Sequence, residues 1–379
     1  MIKLSNKLKK LYMLVLLLLL TGCSGYKDID KKSIVISVGI DRLKNTIELS
    51  TETAKLASES GKAQEEAKIT SVYTNRSYGK TFEKARNDLN SQQPYTTFLG
   101  ATRVVVFGEN YAKEGIESYM NRINKIYDYR KTVLSAVSHG SSSQLLQTSL
   151  PNDISVGFFI EHNIDYLTNE GQALYTNIGK ILSSISMEEV GFLLPYIGKE
   201  KDCIKYLGLA VMKDSKLIDV IPRDHTSGLL YILSKKATIS EILTHPKDAK
   251  NKLSFRTTID KRKISTKQNK EKISIDIHLD LSAELIYQYY VNPISKKDLQ
   301  QLENALSLKI QKDIKSIIHK SQKEYKCDIF QFARYFRGDH PNIYEKIKWS
   351  DIYPQVDINV FVTTKIINKN LFDPNGQDS

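Results

Sequence analysis

Few side chains of this sequence have the spacing that catalysis or metal binding requires. None of the seven histidines lies three to five residues from another histidine or from a cysteine, so no local metal-ligand motif is present. The adjacent carboxylates at 65–66 and 188–189 would point in different directions on a regular element and form poor acid–base pairs. Asp339 and His340 could form a dyad, but the sequence places no nucleophile beside them. The signatures of phosphate-binding loops, zinc peptidases and serine hydrolases are missing too, so we expect no enzyme, no metal and no cofactor.

Cys23 is the residue whose surroundings do indicate a reaction. Four lysines precede an apolar run from Leu11 to Leu20, which a Thr-Gly pair joins to Cys23. A helix of about ten residues rises only ~15 Å, half of the ~30 Å hydrocarbon core, so the run indicates a cleaved secretion signal. The small residues before the cysteine resemble the lipobox of bacterial lipoproteins, in which the thiol accepts a diacylglyceryl group. We expect residues 1–22 to be removed and 23–32 to form a lipidated tether; a secretion signal with a cysteine by chance is the alternative.

The composition is that of a globular chain with a basic surface. Hydrophobic residues make up 41% and charged residues 26% of the 379 residues, which excludes disorder of the whole chain. The net charge is +12, and removal of the signal with its four lysines would leave about +8. The basic residues are scattered among acids, which favours solvated faces and a weak attraction to an anionic membrane over a nucleic-acid site. We expect Cys203 and Cys327 to be buried or half-buried free thiols, with a disulfide between them as the alternative.

Apolar runs predict several strands in the first half of the chain, with helical spacing between some of them. The continuous run at 102–107, the helical repeat at 111–127 and the strand at 132–138 predict a parallel strand–helix–strand crossover. The proline, glycine and charges of 195–202 predict a linker. The other elements expected before this linker are strands at 33–41, 45–54 and 68–74, a helix at 82–89, and short helices between 141 and 185.

The second half predicts one long hairpin and one long helix. Two alternating stretches, 253–266 and 273–285, form the hairpin, and its outward basic residues would protect an exposed edge. Apolar residues at three- and four-residue steps predict the longest helix, from Ser295 to Lys323, packed on a sheet. Tyrosines at 287, 289 and 290 could form a binding platform, but packing at the strand end with the hydroxyls at the rim is favoured. The outward basic residues of the hairpin are Arg256, Lys261, Arg262 and Lys263. The other elements expected in this half are a hairpin at 206–221, a helix at 228–233 capped by Asp224, a helix at 328–336 and a strand at 356–364.

Together these patterns predict an α+β protein with mixed β-sheets and packed helices. We expect three small α/β-type domains behind the lipidated N-terminus. These are an N-terminal α/β domain at 33–195, a middle domain at 203–270, and a C-terminal α/β domain with the long helix at 271–368. The polar residues 369–379 predict a flexible tail.

Several stretches of the chain resemble one known family. Phe98–Glu109, with the residues 111–117 that follow, is similar to the N-terminal region of the Ger(x)C family, the lipoprotein C subunits of spore germinant receptors. The segment 207–217 resembles the start of that family's C-terminal region. The strongest similarity lies in 322–333, followed by Trp349 and 352–360. Two positions depart from the family pattern, since Tyr26-Lys27 replaces a tryptophan–acid pair and Cys327 replaces a small or apolar residue.

The resemblance implies a function that the residues alone do not. It implies a lipid-anchored accessory subunit of a nutrient germinant receptor, required for spore germination and located on the outer face of the inner spore membrane. It also implies that the subunit acts by protein–protein interaction with two polytopic membrane subunits. No nucleic acid and no small-molecule ligand are expected for this subunit.

A lipid-anchored solute-binding protein of a transporter is the alternative function. Such a protein would have two similar lobes with a ligand cleft between them. The sequence lacks the paired parallel strand–helix–strand halves that this architecture requires, so the alternative is less favoured.

Overall fold

The computed structural model describes residues 31–56, 69–126, 129–151, 153–187, 189–201, 203–235, 238–269, 272–290 and 294–368. Within those ranges the chain forms two β-sheets with helices packed on them, which confirms the α+β class. No helix of the described ranges is long and apolar enough to cross a bilayer.

The larger sheet contains the first nine strands of the chain. Its strand order is β3-β2-β1-β5-β6-β7-β8-β9, and the short β4 pairs with β1. The strands are β1 (Lys32–Leu43), β2 (Thr46–Leu56), β3 (Ile69–Gly79), β4 (Thr96–Phe98), β5 (Val104–Gly108), β6 (Leu134–Ser138), β7 (Phe192–Glu200), β8 (Cys203–Lys213) and β9 (Lys216–Pro222).

The centre of this sheet is parallel and covered on both faces. β1, β5, β6 and β7 run parallel to one another, which confirms the predicted crossover between β5 and β6. Val104 and Val106 face one hydrophobic cluster, whereas Val105 and Phe107 face the other. A strand that is buried on both faces has a continuous run of apolar residues, which is the pattern that the sequence shows at 102–107. The helices around this sheet are α1 (Phe82–Ser91), α2 (Glu109–Glu114), α3 (Glu117–Lys125), α4 (Ser142–Leu146), α5 (Val156–Asn169) and α6 (Ile178–Ile185).

Two predicted features of this half were wrong. The helix expected over 111–127 is divided into α2 and α3, because Gly115 adopts a φ of 129°, which interrupts the helical path. The linker expected at 195–202 is mostly strand β7, whose apolar residues are buried. Pro195 is accommodated because β6 pairs with β7 only at Tyr196 and Ile197, beyond the proline.

The smaller sheet has the order β10-β11-β12-β13. The first three strands are antiparallel and β13 runs parallel to β12. The long predicted hairpin is confirmed, but its expected role as an edge is wrong, because β11 lies between β10 and β12. The side chain of Arg262 also points inward and donates to the carbonyls of Tyr231 (3.1 Å) and Ser234 (2.7 Å). The strands are β10 (Thr238–His245), β11 (Asp248–Asn269), β12 (Lys272–Gln288) and β13 (Asp357–Asn368).

One face of the smaller sheet is covered by the longest helix of the chain. This helix begins after Ser295, whose side chain and that of Asp298 form a capping box. Its apolar stripe is buried, as predicted, and the helix ends at Lys320 in a short π-helical turn (Ser321–Tyr325). The expected cap of the helix at 228–233 was wrong, because Thr226 rather than Asp224 precedes it. The helices of this half are α7 (Ser227–Leu233), α8 (Lys296–Lys320), α9 (Phe332–Asp339), α10 (Pro341–Tyr344) and α11 (Trp349–Ile352).

The larger sheet continues through the predicted boundary between the first two domains. β7 and β8 pair from Phe192 opposite Met212 to Glu200 opposite Cys203, so Pro195–Glu200 and Cys203 lie inside the sheet. The division into three domains stays a prediction.

Candidate functional site

The predicted lipidation site lies outside the described residues. Cys23 lies before residue 31, where the described chain begins, and the predicted tail 369–379 lies after residue 368, where it ends. Lipidation of Cys23 therefore stays a prediction. The described chain enters β1 at Lys32, about nine residues after Cys23, and such a segment spans at most ~30 Å. A lipid on Cys23 would therefore hold the start of β1 within about that distance of a membrane.

A buried acid, Asp328, joins the segment after α8 to the larger sheet. Its Oδ2 accepts hydrogen bonds from the indole Nε1 of Trp349 (3.0 Å) and from the backbone N–H of Ala333 (2.8 Å). Its carbonyl accepts a hydrogen bond from the N–H of Gly191 (3.1 Å), directly before β7. One residue therefore fixes α9, α11 and the larger sheet relative to each other. Asp328 and Trp349 both belong to the part of the chain that carries the strongest family resemblance.

The environment of Asp328 is apolar and aromatic. Burial raises the pKa of this carboxyl to about 6, although hydrogen bonds from the backbone and from Trp349 act in the opposite direction. The indole of Trp349 stacks on Phe336, with 5.4 Å between the ring centroids, and lies 6.1 Å from Tyr353. The partners of the carboxyl are N–H groups that hold helices in place, so we interpret Asp328 as a structural acid.

The two cysteines of the described chain are free. Cys327 is buried, and a β-carbon on Gly191 would lie only 2.5 Å from its sulfur, which shows how closely the two segments approach. Burial raises the pKa of the Cys327 thiol to about 12, so the thiol stays protonated and unreactive. Cys203 is exposed and also unpaired. The expectation of free thiols is confirmed for both cysteines, but the expectation that both are buried or half-buried is wrong for Cys203.

Two further buried acids, Asp41 and Glu52, accept hydrogen bonds from the starts of α4 and α5. Asp41 in β1 accepts from the backbone N–H groups of Ser142 (3.0 Å) and Ser143 (2.8 Å). Glu52 in β2 accepts from the N–H groups of Val156 (2.8 Å) and the following residue (2.7 Å). Each carboxylate thus satisfies N–H groups that a helix start leaves unpaired. The sequence analysis did not identify either acid. The signal that could have found them is an acid at a strand position that faces the apolar core.

Glu52 lies in a tightly packed environment. Burial raises the pKa of Glu52, and hydrogen bonds from Ser37, from the helix start and from Ser155 counteract that rise. Gly157 permits the start of α5 to lie close to Ser37 and Glu52, because a β-carbon at this position would lie 2.8 Å from the Cβ of Ser37 and 3.1 Å from a carboxylate oxygen of Glu52. Glu52 is therefore an anchoring acid for α5.

A third polar group connects the ends of β5, β6 and β7. The hydroxyl of Tyr196 donates to Glu109 (2.9 Å) and lies 2.8 Å from Nδ1 of His139. Burial acts to raise the pKa of Glu109, but hydrogen bonds from Lys113, from the N–H of Gly140 and from Tyr196 outweigh it and lower the pKa to about 2. Burial and the hydrogen bond to Glu109 raise the pKa of Tyr196. A permanently ionised acid and a permanently protonated phenol do not exchange a proton at neutral pH, so the network ties loops together.

Asp339 and His340 do not form a catalytic arrangement in the described chain, whereas Glu65, Glu66 and Glu188 of the considered carboxylate pairs lie outside the described residues. Asp339 accepts a hydrogen bond from Thr266 (2.6 Å), and His340 packs on Phe336 with 5.0 Å between the ring centroids. The two side chains therefore support α9 and do not form a dyad with a nucleophile. The described ranges contain no group of three His, Cys, Asp or Glu residues that could hold a metal ion.

The tyrosines after the long hairpin lie in solvent, which makes the expectation of strand-end packing wrong. Tyr287 is 54% and Tyr289 63% exposed, and their rings meet edge to face with 5.6 Å between the centroids. Ile242, 62% exposed, lies on the same row of the sheet, because it and Tyr287 are both paired with Ser254 of β11. An apolar cluster of this kind on a surface indicates an interaction site. We name it the tyrosine patch, and it consists of Ile242, Ile286, Tyr287, Tyr289 and Tyr290.

Family models for spore germination proteins match two successive parts of the chain. The model described as "Spore germination protein N-terminal domain" matches residues 25–199. The model described as "Spore germination B3/ GerAC like, C-terminal" matches residues 207–370. The segments that carried the family resemblance, 98–117 and 322–333, lie within these two matches.

Individual relatives match over nearly the whole chain. "Spore germination protein B3" of Bacillus subtilis (strain 168) is 25% identical over 370 residues, which cover 94% of this chain and 96% of the relative. "Spore germination protein GerQC" of Bacillus cereus is 20% identical, with 93% and 96% covered. "Spore germination protein KC" of Bacillus subtilis (strain 168) is 21% identical, with 93% of each chain covered.

A solved structure shares the fold. The crystal structure of the GerBC protein matches with a TM-score of 0.58 and 22% identity, and covers 87% of this chain and 97% of the solved one. The two family models, the relatives of similar length and this common fold agree with each other. The chain belongs to the Ger(x)C family of spore germination proteins.

Proposed function

We propose that this protein is a lipid-anchored accessory subunit of a nutrient germinant receptor, required for spore germination and held at the outer face of the inner spore membrane. The observation that carries the proposal is the match of both family models along the chain, together with relatives that are named spore germination proteins. The lipobox-like sequence before Cys23 supports the anchor. The buried acids of the described chain bind helix starts and loops, which favours a role in protein–protein interaction over catalysis.

Anchoring would strengthen even a modest interaction. A short tether between Cys23 and β1 confines the start of β1 to within about 30 Å of the membrane. Confinement of this kind raises the effective concentration toward neighbouring proteins, to the millimolar range for short linkers. An interface that is weak in free solution would then persist between the protein and the membrane subunits of a receptor.

The tyrosine patch is the surface that we assign to this interaction. Tyrosine rings are enriched at protein interfaces because they bury a large apolar area and keep a polar hydroxyl for hydrogen bonding. The patch lies at one end of the smaller sheet, and the polypeptide there is held rigidly. Asn251 donates to the carbonyl of Tyr290 (2.8 Å) and accepts from its N–H (3.0 Å). A rigid patch binds at a lower entropic cost than a mobile one. The proposed occupants are two polytopic membrane subunits.

Deletion of the gene tests the proposal. Spores that lack the protein should fail to germinate with one nutrient, while vegetative growth and germination by a receptor-independent route stay unchanged. Complementation by the wild type should restore germination, whereas Cys23→Ala should restore it poorly, because the protein would leave the membrane. Normal germination of the deletion strain with every nutrient, or a growth defect alone, would contradict the proposal.

The alternative, a lipid-anchored solute-binding protein, is less supported by the architecture. The parallel strands β1, β5, β6 and β7 all lie in one sheet, and the smaller sheet contributes a single parallel pair, β12 with β13. The described chain therefore does not form two similar lobes. A transport defect for one solute in the deletion strain, with normal germination, would favour this alternative.

A further inference from the structure

A cleft with basic residues at its sides lies between the two parts of the chain that the family models match. Its volume is about 540 Å³, within the range of ~300–1,000 Å³ that small-molecule sites have. Lys180 on α6 lines it from the N-terminal part, and Arg334 on α9 lines it from the C-terminal part. Neither aspartate nor glutamate is present among the described residues that line it. Its apolar lining consists of Leu174, Phe192, Leu193, Leu233 and Ile329.

The ammonium group of Lys180 has no carboxylate to balance its charge. Its Nζ donates to the carbonyl oxygen of Tyr175 (2.6 Å), and it forms no ion pair with a carboxylate of the described chain. Burial lowers the pKa of Lys180, and the nearby charge of Lys235 lowers it further. An anion placed beside this ammonium would relieve both effects, because an opposite charge favours the protonated form.

The guanidinium of Arg334 is held in position before any ligand binds. Its Nε donates to Oε1 of Gln331 (2.6 Å) and its Nη2 donates to Oγ of Ser183 (3.0 Å). Gln331 in turn donates from its amide nitrogen to Oγ of Ser184 (2.9 Å). The Nη1 group of Arg334 forms no hydrogen bond or ion pair within the described ranges. A positioned guanidinium with unused N–H groups suits the planar oxygens of a carboxylate.

The backbone at this cleft is strained, which is a second sign of a specific arrangement. Gln331 adopts a φ of 59° and a ψ of 37°, a left-handed conformation that residues other than glycine rarely adopt. Such conformations occur often where a site needs a particular geometry. Here the strain places the Gln331 side chain between Ser184 on α6 and Arg334 on α9.

We propose that this cleft binds an organic carboxylate that carries an apolar group. The carboxylate would lie between Lys180 and Arg334, and the apolar group would contact the floor formed by residues such as Phe192 and Ile329. The site departs from the expectation that this subunit takes no small ligand. The carboxylate belongs either to a free small acid or to the C-terminus of a polypeptide that ends in an apolar residue.

Three probes of similar shape test the chemistry on the full-length lipidated chain in nanodiscs of neutral lipid. Ligand-observed NMR titration would measure binding of phenylacetate, of the uncharged phenylacetamide and of the cationic 2-phenylethylammonium. The proposal requires phenylacetate to bind at least ~10-fold more tightly than the amide, since a hydrogen bond to a charged group is stronger than a neutral one. The ammonium should not bind. Equal binding of phenylacetate and phenylacetamide would overturn the proposal.

Substitutions at the cleft locate the binding. Lys180→Gln and Arg334→Gln should each weaken phenylacetate binding by ~10-fold, because each removes a charged donor. Lys365→Gln removes an exposed lysine of β13 outside the cleft lining and should leave the affinity unchanged. Circular dichroism would verify that all three variants keep the fold. An unchanged affinity in both cleft variants, or an equal loss in the β13 control, would overturn the site.

A peptide pair distinguishes the two sources of the carboxylate. The tripeptide Ala-Ala-Phe with a free C-terminus would be compared with its C-terminal amide and with phenylacetate. Tighter binding of the free tripeptide than of phenylacetate would assign the cleft to a polypeptide terminus, and the reverse order would assign it to a free acid. Both results support the proposed chemistry. The proposed chemistry would be contradicted if the tripeptide acid and its amide bound equally and phenylacetate did not bind.

Discussion

At the scale of residues, this protein uses buried acids to position helices. Asp41, Glu52 and Asp328 are all shielded from solvent, and each accepts hydrogen bonds from backbone N–H groups at or near a helix start. A buried carboxylate is costly unless such donors surround it. The donors to Asp41 and Glu52 lie about a hundred residues further along the chain, so these two contacts fix the tertiary arrangement rather than a local turn.

The packing around Glu52 predicts that one methyl group added at Gly157 lowers the stability of the protein. Gly157→Ala should destabilise the protein by about 1–3 kcal/mol, because the added β-carbon would lie 2.8 Å from the Cβ of Ser37. Gly338→Ala is the matched control, since that β-carbon would meet nothing within 4 Å and alanine favours the helix α9. Urea unfolding would measure both variants. Equal stabilities of the two variants would contradict the packing described for Glu52.

The burial of Asp328 predicts a specific pH dependence of stability. The unfolded chain releases this proton near pH 4, whereas the folded chain holds it up to about pH 6. The stability that this group contributes is therefore fully present below about pH 4 and is lost as the pH rises through about 6. Relative to Asp328→Asn, the wild type should lose up to roughly 3 kcal/mol of unfolding free energy between pH 4 and pH 7. A difference between the two proteins that does not vary with pH would show that Asp328 ionises normally.

At the scale of elements, α8 is the support of the smaller sheet. Its apolar stripe includes Leu306, which is fully buried, whereas Leu308 on the opposite side is 64% exposed. Leu306→Ala should destabilise the protein by about 2–5 kcal/mol, since it leaves a cavity in the core. Leu308→Ala should change the stability by less than about 0.5 kcal/mol. Comparable losses in the two variants would mean that α8 packs differently.

Elements with strong periodicity could be predicted from the sequence, and elements decided by tertiary contacts could not. The stripe of α8 and the alternation in β11 and β12 are each long enough to indicate type and extent. β7 was missed because its proline and glycine resemble a linker, although β6 pairs only beyond Pro195. The division of α2 from α3 depends on the positive φ of Gly115, which a helical repeat conceals. The cleft residues Lys180 and Arg334 are 154 positions apart, so only the packing of α9 against α6 brings them together.

The tyrosine patch predicts a loss of interaction without a loss of stability. The double variant Tyr287→Ser and Tyr289→Ser should keep the melting temperature of the wild type, because both rings are in solvent. It should recover far less of the receptor's membrane subunits after affinity purification from spore membranes, since aromatic residues often dominate interface energies. Tyr166→Ser is the matched control, because Tyr166 on α5 is 61% exposed and lies outside the patch. If the double variant and the control recovered the subunits equally, another surface would make the contact.

At the scale of the whole molecule, the two sheets form one body through a shared core. Residues of the larger sheet, of the smaller sheet and of α8 belong to the same hydrophobic cluster. Asp328 adds a polar connection at the same place, between the larger sheet and the helices after α8. The cleft between α6 and α9 lies where a bound carboxylate would contact both matched parts of the chain.

The central claim, a lipid-anchored protein docked on membrane subunits, is tested most directly by purification from dormant spore membranes. A C-terminally tagged chain would be solubilised in mild detergent, captured, and analysed by intact-mass and cross-linking mass spectrometry. We predict that the chain begins at Cys23 with a diacylglyceryl modification and is cross-linked to two polytopic membrane proteins. An unmodified chain in the soluble fraction, with no membrane protein attached, would contradict the account.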